Sequence, residues 1–466
     1  MKIIIIGEVD LKRLMIFAPI AKRESIFYLN IAKQIVRQTR DINIKFISFF
    51  QPYNNVIKDS GFEVFDIYKY LSNKNFNVKE YENKFDIDNM NKKLIHEKLT
   101  FAIYDTQKLQ NKFCNYLDIL DKYLIKLKNQ YKNICVYQEL GGFIAPLSLY
   151  YASRKNDIEH IFFEPAFFKG RLHFVKNSLD PINIAIDKNN TKTLPEVEQY
   201  LKKSLSNKEV VIPDKDKHHF KDMGFFKIIN NENLKKIYYK IYYKYIKKQK
   251  QEYEHIYNHI KRYIKMYINR KRTNKLYTKY LNSKEEYIYF PFHVQLDYSL
   301  TIRSLEYLNQ LALVEYIAQI LPNNIKLYIK EHPASIGGFD YYDIKKLLKK
   351  YDNIKLIYPT INSYDIINNA LGIITINSKT GAEALVAGKE VIVLGNAFYK
   401  NFPNVHKVES IRELQKCIFD IINHKLKNNN NFNYLFNDIW KKSYPIELYK
   451  NNNDNINRFV NIILKG

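Results

Sequence analysis

Short apolar runs alternate with longer segments of helical period along the first part of the chain, from Met1 to about Ile184. IIIIG (Ile3 to Gly7), IKFISFF (Ile44 to Phe50), NICVYQ (Asn133 to Gln138) and EHIFFEP (Glu159 to Pro165) have strand length, and FYLNIAKQIVRQ between them has the period of an amphipathic helix. A second alternation begins near Glu285. EEYIYFPFHV, IKLYIKEHP, NIKLIYP, GIITINS and KEVIVLG predict five strands, separated by the helix-length segments SLEYLNQLALVEYIAQIL, YYDIKKLLKKY, SYDIINNA and TGAEALVAG. Regular strand-helix repetition needs crossover connections, so it predicts parallel, doubly wound sheets. The expected fold class is α/β, with two Rossmann-like doubly wound domains, a helical insertion and a cleft between the domains.

The insertion is KKIYYKIYYKYIKKQKQEYEHIYNHIKRYIKMYINRKRTNKLYTKYL. It lies within Leu234 to Leu281, lacks Gly and Pro, and carries apolar residues three or four apart, which predicts one long helix or a helical pair. The expected boundaries are residues 1–190 for the first domain, 191–284 for the insertion, 285–430 for the second domain and 431–466 for helices that pack back on the first. At 466 residues and 46% hydrophobic content the chain suits two or three buried cores. Cys114, Cys135 and Cys417 lack paired spacing, which argues against a disulfide framework or a zinc site and fits a reducing compartment. MKIIIIGEVD reads as a strand and not as a signal peptide, and no stretch approaches the roughly 20 apolar residues of a spanning helix. A cytoplasmic protein, soluble or resting on a membrane surface, is expected.

The formal charge of +26 asks for an acidic partner or substrate, although Lys, Asn, Ile and Tyr are over-used everywhere, as AT-rich coding would produce. The Lys- and Tyr-rich tract can present a solvated basic face or rest on anionic lipid headgroups. It carries no nucleic-acid recognition module, so specific nucleic-acid binding is not expected.

In a doubly wound sheet, ligands bind beyond the carboxyl ends of the strands, where helix amino termini direct N–H groups into the crevice. ITINSKTGAEALVAGKEVIVLG (Ile374 to Gly395) has such a place, where Ser378, Thr380 and Gly381 offer hydroxyls and a close backbone approach to a phosphate. Thr380-x-x-Glu383 also reads as a capping box, and the two roles can coexist. KEHPASIGG (Lys330 to Gly338) sets His332 at a strand end before Pro333, where it can donate to a phosphate, assist a leaving group or serve as an ordinary hydrogen-bonded residue. In FPFHVQLDYSLTIRS, Gln295, Asp297 and Ser299 follow a strand, and Asp297 is either an N-cap or a nucleophile facing the crevice. EHIFFEPAFFKG puts Glu164 at a strand end on the opposite wall, and two carboxylates from facing domains suit glycosyl chemistry. Glu139, in VYQELGG, ends a similar run and competes with Glu164 as acid/base; the context of Pro165, Lys169 and Gly170 favours Glu164.

Together these stretches resemble the capsule polysaccharide synthesis family, whose characterised members are bacterial β-Kdo glycosyltransferases that use CMP-Kdo. INSKTGAEALVAGKEVIVLGNAFY is similar to the family's Ser-Thr-x-Gly-x-Glu-Ala-Leu pattern and the segment after it, departing at Lys379, Thr380 and Glu390. KEHP resembles its His-Pro element, VQLDYS a shortened Gln-x-x-Asp-x-Ser, and FFEPAFFKG with LDPIN its Glu-Pro-Gly and Asp-Pro segment. The resemblance covers about Lys132 to Asn183 and Glu285 to Phe402. It implies the two-domain GT-B arrangement and a retaining transfer. His332, Ser378, Thr380 and Glu383 would hold CMP, with Gln295, Pro333 and Gly381 in the same donor site. Asp297 would attack the anomeric carbon, Glu164 would serve as acid/base, and His332 would act near the phosphate. It implies no metal and no cofactor beyond the donor substrate, a lipid-linked glycan acceptor, and a peripheral position at the inner membrane. A relative using another nucleotide sugar and a non-catalytic scaffold of capsule assembly are the competing expectations.

Overall fold

The structure, a computed structural model, describes residues 13–186, 192–208, 231–246, 248, 255–423 and 432–465. The expected strand at Ile3 to Gly7 lies outside the described residues. The first sheet is built from β1 (Arg13–Phe17), β2 (Ile42–Ser48), β3 (Glu63–Asp66), β4 (Ile134–Glu139), β5 (Glu159–Pro165), β6 (Leu172–Lys176) and β13 (Ser443–Tyr444), in the order β13-β6-β5-β4-β1-β2-β3. Strands β1 to β5 run parallel, and β6 and β13 are added antiparallel at one edge. The second sheet comprises β7 (Tyr287–Pro291), β8 (Lys326–Lys330), β9 (Ile354–Ile357), β10 (Gly372–Thr375), β11 (Val391–Val393) and β12 (Val405–Lys407), ordered β12-β11-β10-β7-β8-β9 and parallel throughout.

Both sheets bury both faces, which is why their strands read as continuous apolar runs rather than as alternating ones. In the first, Leu14, Ile16 and Val136 face the helices Met90–Phe101, Thr106–Lys128 and Ile144–Lys155, while Met15, Phe17 and Tyr137 face Lys22–Gln38 and Asn453–Lys465. In the second, Ile288, Phe290 and Ile329 meet the Gln310–Ile320 and Tyr341–Lys350 helices, and Tyr287, Tyr289 and Tyr328 meet the Ser363–Asn369 and Lys379–Val386 side. In each sheet the strand order reverses beside the first parallel strand, between β1 and β4 and between β7 and β10. A crevice opens at such a point, beyond the carboxyl ends of the strands.

The Lys- and Tyr-rich tract forms two helices, Asn231–Ile241 and Ile256–Thr273, the first continued by a wider turn at Tyr242–Ile246. The second ends on Arg270, Lys271 and Arg272, whose charges suit a helix carboxyl terminus. Beyond it Thr278 pairs with Ile357 at the edge of β9. The Pro195–Ser206 helix packs Val197 and Leu201 into the core of the second domain, beside Leu435 and Phe436. The chain then returns: β13 joins the first sheet, and Phe459 of the last helix meets Phe27, Phe163 and Phe174 at ring separations of 5.5, 5.0 and 5.4 Å. No helix among the described residues is long and apolar enough to cross a membrane.

Because Phe459 is fully buried, Phe459→Ala is expected to lower unfolding stability by about 3–5 kcal/mol in urea titration. Phe419→Ala, at a 40% exposed position, should change it by no more than about 0.5 kcal/mol. Equal effects would mean that the last helix is not part of the first domain's core.

Candidate functional site between the two sheets

The carboxyl ends of the two sheets face one cleft of about 1740 Å³, lined by Glu139 and Glu164 from the first domain and by Gln295, Asp297, His332, Pro333, Ser378, Thr380 and Glu383 from the second. Gly381 is not on this wall. A Cβ there would collide with the hydroxyl of buried Tyr399, so the glycine is required by the packing of that ring and not by the approach of a ligand.

The turn after β10 is arranged by its own side chains. Ser378 is the N-cap of Lys379–Val386, accepting from the Thr380 backbone N–H at 3.2 Å, and its carbonyl accepts from the Tyr399 hydroxyl. The capping position expected at Thr380 therefore belongs to Ser378, two residues earlier, which leaves Thr380 in the first turn of the helix and on the cleft wall. Lys379 reaches across to the first domain and donates to the carbonyls of Pro165 and Ala166 at 3.2 and 2.8 Å. Below, Glu383 is 2% exposed.

At the end of β8, His332 accepts from the Ala334 backbone N–H through Nδ1 at 3.2 Å, which places the proton of the neutral ring on Nε2. Its neighbours are buried. Lys330 donates to the carbonyl of Ile361 and to Ser363 at 2.7 and 2.9 Å; burial lowers its pKa to about 8, against the opposing charges of Glu383 and Asp365. Glu331 accepts from the Tyr277 hydroxyl and from the Gly337 N–H at 3.0 Å, and burial pushes it up to about 7. Gln295 lies beside Gly338 in the loop that follows.

Asp297 caps the short helical turn Tyr298–Thr301, accepting from the Ser299 N–H at 2.8 Å, and still faces the cleft. Two buried histidines stand near it. His96, from the first domain, bonds through Nδ1 to the Thr301 hydroxyl at 2.8 Å; that hydroxyl donates to the Asp297 carbonyl, so Nδ1 is the donor and Nε2 keeps its lone pair. His293 follows β7. Burial holds both imidazoles near pKa 4 and so neutral, against the charge of Asp297.

Glu164 is held by a forked ion pair with Arg303 at 2.7 and 3.0 Å and accepts from the Tyr298 hydroxyl. Burial would raise its pKa, but the Arg303 charge and hydrogen bonds override this and bring it from 4.5 to about 2. At neutral pH it is a carboxylate, able to accept a proton but not to supply one. Glu139 accepts from the Tyr449 hydroxyl of the returning tail and faces the same space. Both first-domain carboxylates thus line the cleft. Arg303, Tyr298, His96, His293 and Lys330 were not singled out in the sequence, and Glu331 was placed only at the strand end beside His332. Tyr298 and Arg303 stand in the same stretch as Asp297, but nothing in their spacing signals a partner in the other domain. Among the described residues no group of three or more His, Cys, Asp or Glu side chains is placed to hold a metal ion.

The family described as capsule polysaccharide biosynthesis protein matches residues 148–405, more than half of the chain. The capsule polysaccharide modification protein LipB of Neisseria meningitidis serogroup A is 32% identical over 100 residues, 21% of this chain and 24% of that protein. Protein FixF of Sinorhizobium fredii is 32% identical over 120 residues, 24% and 27% of the respective lengths. The chain thus spans about a quarter of these curated relatives. Among solved structures, Thermosulfurimonas dismutans KpsC, a β Kdo 2,7 transferase, aligns over 74% of this chain and 89% of its own at 17% identity and TM-score 0.34. The UDP-GlcNAc 2-epimerase of Methanocaldococcus jannaschii aligns over 98% and 100% at 13% identity and TM-score 0.26.

Because the folded pKa of Glu164 lies below its ordinary value of 4.5, the stability it confers is complete at neutral pH and is lost as pH falls from 4.5 towards 2. Glu164→Gln should lower the thermal midpoint at pH 7 by leaving Arg303 buried without its partner. The gap from wild type should begin to close below pH 4.5. A gap independent of pH would remove the ion pair as its cause.

Proposed function

The chain belongs to the capsule polysaccharide biosynthesis family, and from that membership we propose that it is a glycosyltransferase moving Kdo from CMP-Kdo to a lipid-linked glycan, with retention at the anomeric carbon. The observation that carries the proposal is that Asp297 and Glu164, one from each domain, line the same cleft with His332 and Ser378. The nucleotide phosphate sits against the Lys379–Val386 helix tip, with His332 Nε2–H as donor, and Gln295, Pro333, Thr380 and Glu383 complete the donor pocket.

Asp297 attacks the anomeric carbon; a bond forms from its carboxylate oxygen as the bond to the phosphate oxygen breaks, and CMP leaves with the electron pair. A phosphate leaves without being protonated, so the first step asks for no acid. In the second step the acceptor hydroxyl gives its proton to a carboxylate as its oxygen displaces Asp297. Glu164 is ionised and available for that step, and Glu139 is the competing base. The donor is a substrate, and neither a metal nor another cofactor enters the scheme.

The protein works at the cytoplasmic face of the inner membrane, docked on anionic lipid through the 234–281 tract. Tyr257, Ile260, Ile264 and Ile268 are exposed along the Ile256–Thr273 helix among lysines and arginines, a composition that suits headgroup contact.

CMP is expected to raise the thermal midpoint and UDP to leave it unchanged; the opposite result would remove the Kdo assignment. With CMP-Kdo and a short lipid-mimicking acceptor, mass spectrometry should detect the product and a sugar adduct on Asp297. Asp297→Asn should lose at least about 1000-fold in rate, the scale on which removal of a nucleophile is felt. Undiminished capsule production from that variant would favour a scaffold. Cosedimentation with phosphatidylserine vesicles should exceed that with phosphatidylcholine and fall with salt, and Ile264→Glu should weaken it. Equal recovery with both lipids would exclude the proposed docking.

A further inference from the structure

The Ile256–Thr273 helix does more than present an outer face. It lines the cleft and is fastened to both domains. On the first domain, Asn258 Nδ2 donates to the Phe101 carbonyl at 2.6 Å, Arg262 Nη1 donates to the Thr100 carbonyl at 3.4 Å, and Phe101 packs between His255 and His259. On the second, Lys265 pairs with Asp340 at 3.1 Å, and Asn269 donates to the Gly337 carbonyl and accepts from the Tyr341 N–H, each at 3.3 Å. Gly337 has φ +78°, and a side chain there would strike the carbonyl of Met266, so the helix is seated directly on this turn.

Positions 262, 266 and 270 fall four apart on one stripe of the helix, and Arg262, Met266 and Arg270 line the cleft together with Tyr263. Arg262 Nε is buried and has no acceptor among the described residues. A guanidinium N–H withdrawn from water without a partner is unfavourable unless a ligand completes it. Positive groups also gather here. His96 and His259 lose their protons mainly through burial and partly because of Arg262, with Lys240 and His255 adding to the field at His259. Arg270 lies in the field of Glu331 at the other end of the stripe.

We propose that Arg262 forms an oxyanion site on the cleft wall, which holds a carboxylate or phosphate carried by the acceptor while its hydroxyl meets the donor sugar. This rests on the cleft being a glycosyl-transfer site, and it gives the inserted helix a part in selecting the acceptor. The forked guanidinium geometry suits either anion, and a neutral glycan would leave it uncompleted.

Inorganic phosphate, glucuronate and glucose are titrated calorimetrically into the full chain saturated with CMP, so that the nucleotide's phosphate position is already filled. Phosphate or glucuronate should bind and glucose should not; which anion binds more tightly identifies the source. Arg262→Gln and Arg262→Ala should each weaken the bound anion by about tenfold or more. CMP titration and the thermal midpoint of the same variants report whether the fold is intact. Absence of binding by both anions, or anion binding equal to wild type in folded variants, overturns the site. If CMP binds and the anions do not, the oxyanion site falls and the nucleotide cleft stands. If the anions bind in an arginine-dependent way to protein that takes no nucleotide, the glycosyl-transfer proposal falls and the anion site stands.

Discussion

Glu164 and Arg303 face each other across the line where the two domains meet, and the opposition of the two cleft walls rests on that contact. Arg303 is 5% exposed along its side chain, so its charge cannot be left unmatched without a penalty of about 3–5 kcal/mol. Replacement of such a pair by apolar residues of equal volume is often neutral, so its value lies less in stability than in geometry. A forked guanidinium accepts one orientation of a carboxylate. Through it the end of β5 is fixed against the turn that carries Asp297, and Tyr298, one residue on from Asp297, bonds the same carboxylate. Lys379 adds a second tie, from the helix tip after β10 to the carbonyls after β5. Two sheets that could slide past each other are held with their switch points opposed.

The turn after β10 shows how packing and site are built from the same residues. A ring as large as Tyr399 fits beneath the helix tip only because residue 381 has no side chain, and its hydroxyl then holds the carbonyl of Ser378. Ser378 in turn caps the helix. The run of small residues is thus explained from below, by the buried tyrosine, while the cleft above receives a helix tip whose first turn is held in place. Asn377 extends this outward, donating to the Ser299 carbonyl and to the Ser304 hydroxyl at 2.8 and 3.0 Å, and so ties the Asp297 turn to the strand next to it.

Much of this frame was legible in the sequence, because parallel strands buried on both faces leave continuous apolar runs and their crossover helices leave a helical period. Strands β5 and β7 to β11 fall within such runs, and β2 and β4 overlap them. Strands β3, β12 and β13 lie at sheet edges with exposed or half-buried positions, so EVFD, VHK and SY lack the buried apolar run that marks β10 and β11, which are no longer than β3. Strand β1 was missed because RLMIF follows an apolar amino terminus that drew the strand assignment to itself. The candidate site divides in the same way. Glu164, Asp297, His332 and Ser378 stand at strand ends, where position along the chain already implies position in space. Arg303 lies 139 residues from Glu164, and His96 lies 205 from Thr301, so those contacts exist only once the domains pack. Arg262 was hidden in a tract whose lysines and tyrosines all looked alike.

The net charge of +26 has a different place in the molecule from the one composition suggests. Within the cleft, Arg23, Arg262, Arg270, Arg303, Lys330 and Lys379 stand against Glu24, Glu139, Glu164, Asp297, Glu306, Glu331 and Glu383, six basic side chains against seven acidic ones. A cavity so balanced gains little from bulk attraction for an anion, and among the described residues the excess basic groups lie on the surface outside it. At physiological salt that surface field decays over about 8 Å, enough to favour approach to an acidic surface but too diffuse to orient a ligand. Orientation falls to groups whose partners are already fixed: a histidine with its proton on one nitrogen, a capped helix tip, a carboxylate forked onto an arginine. The inserted helix belongs to both regimes, since its outer residues extend the basic surface and its inner stripe brings Arg262 and Arg270 into the balanced interior. A segment that lies outside the recurrent strand-helix pattern is therefore positioned to couple the approach of a charged partner to its arrangement in the cleft.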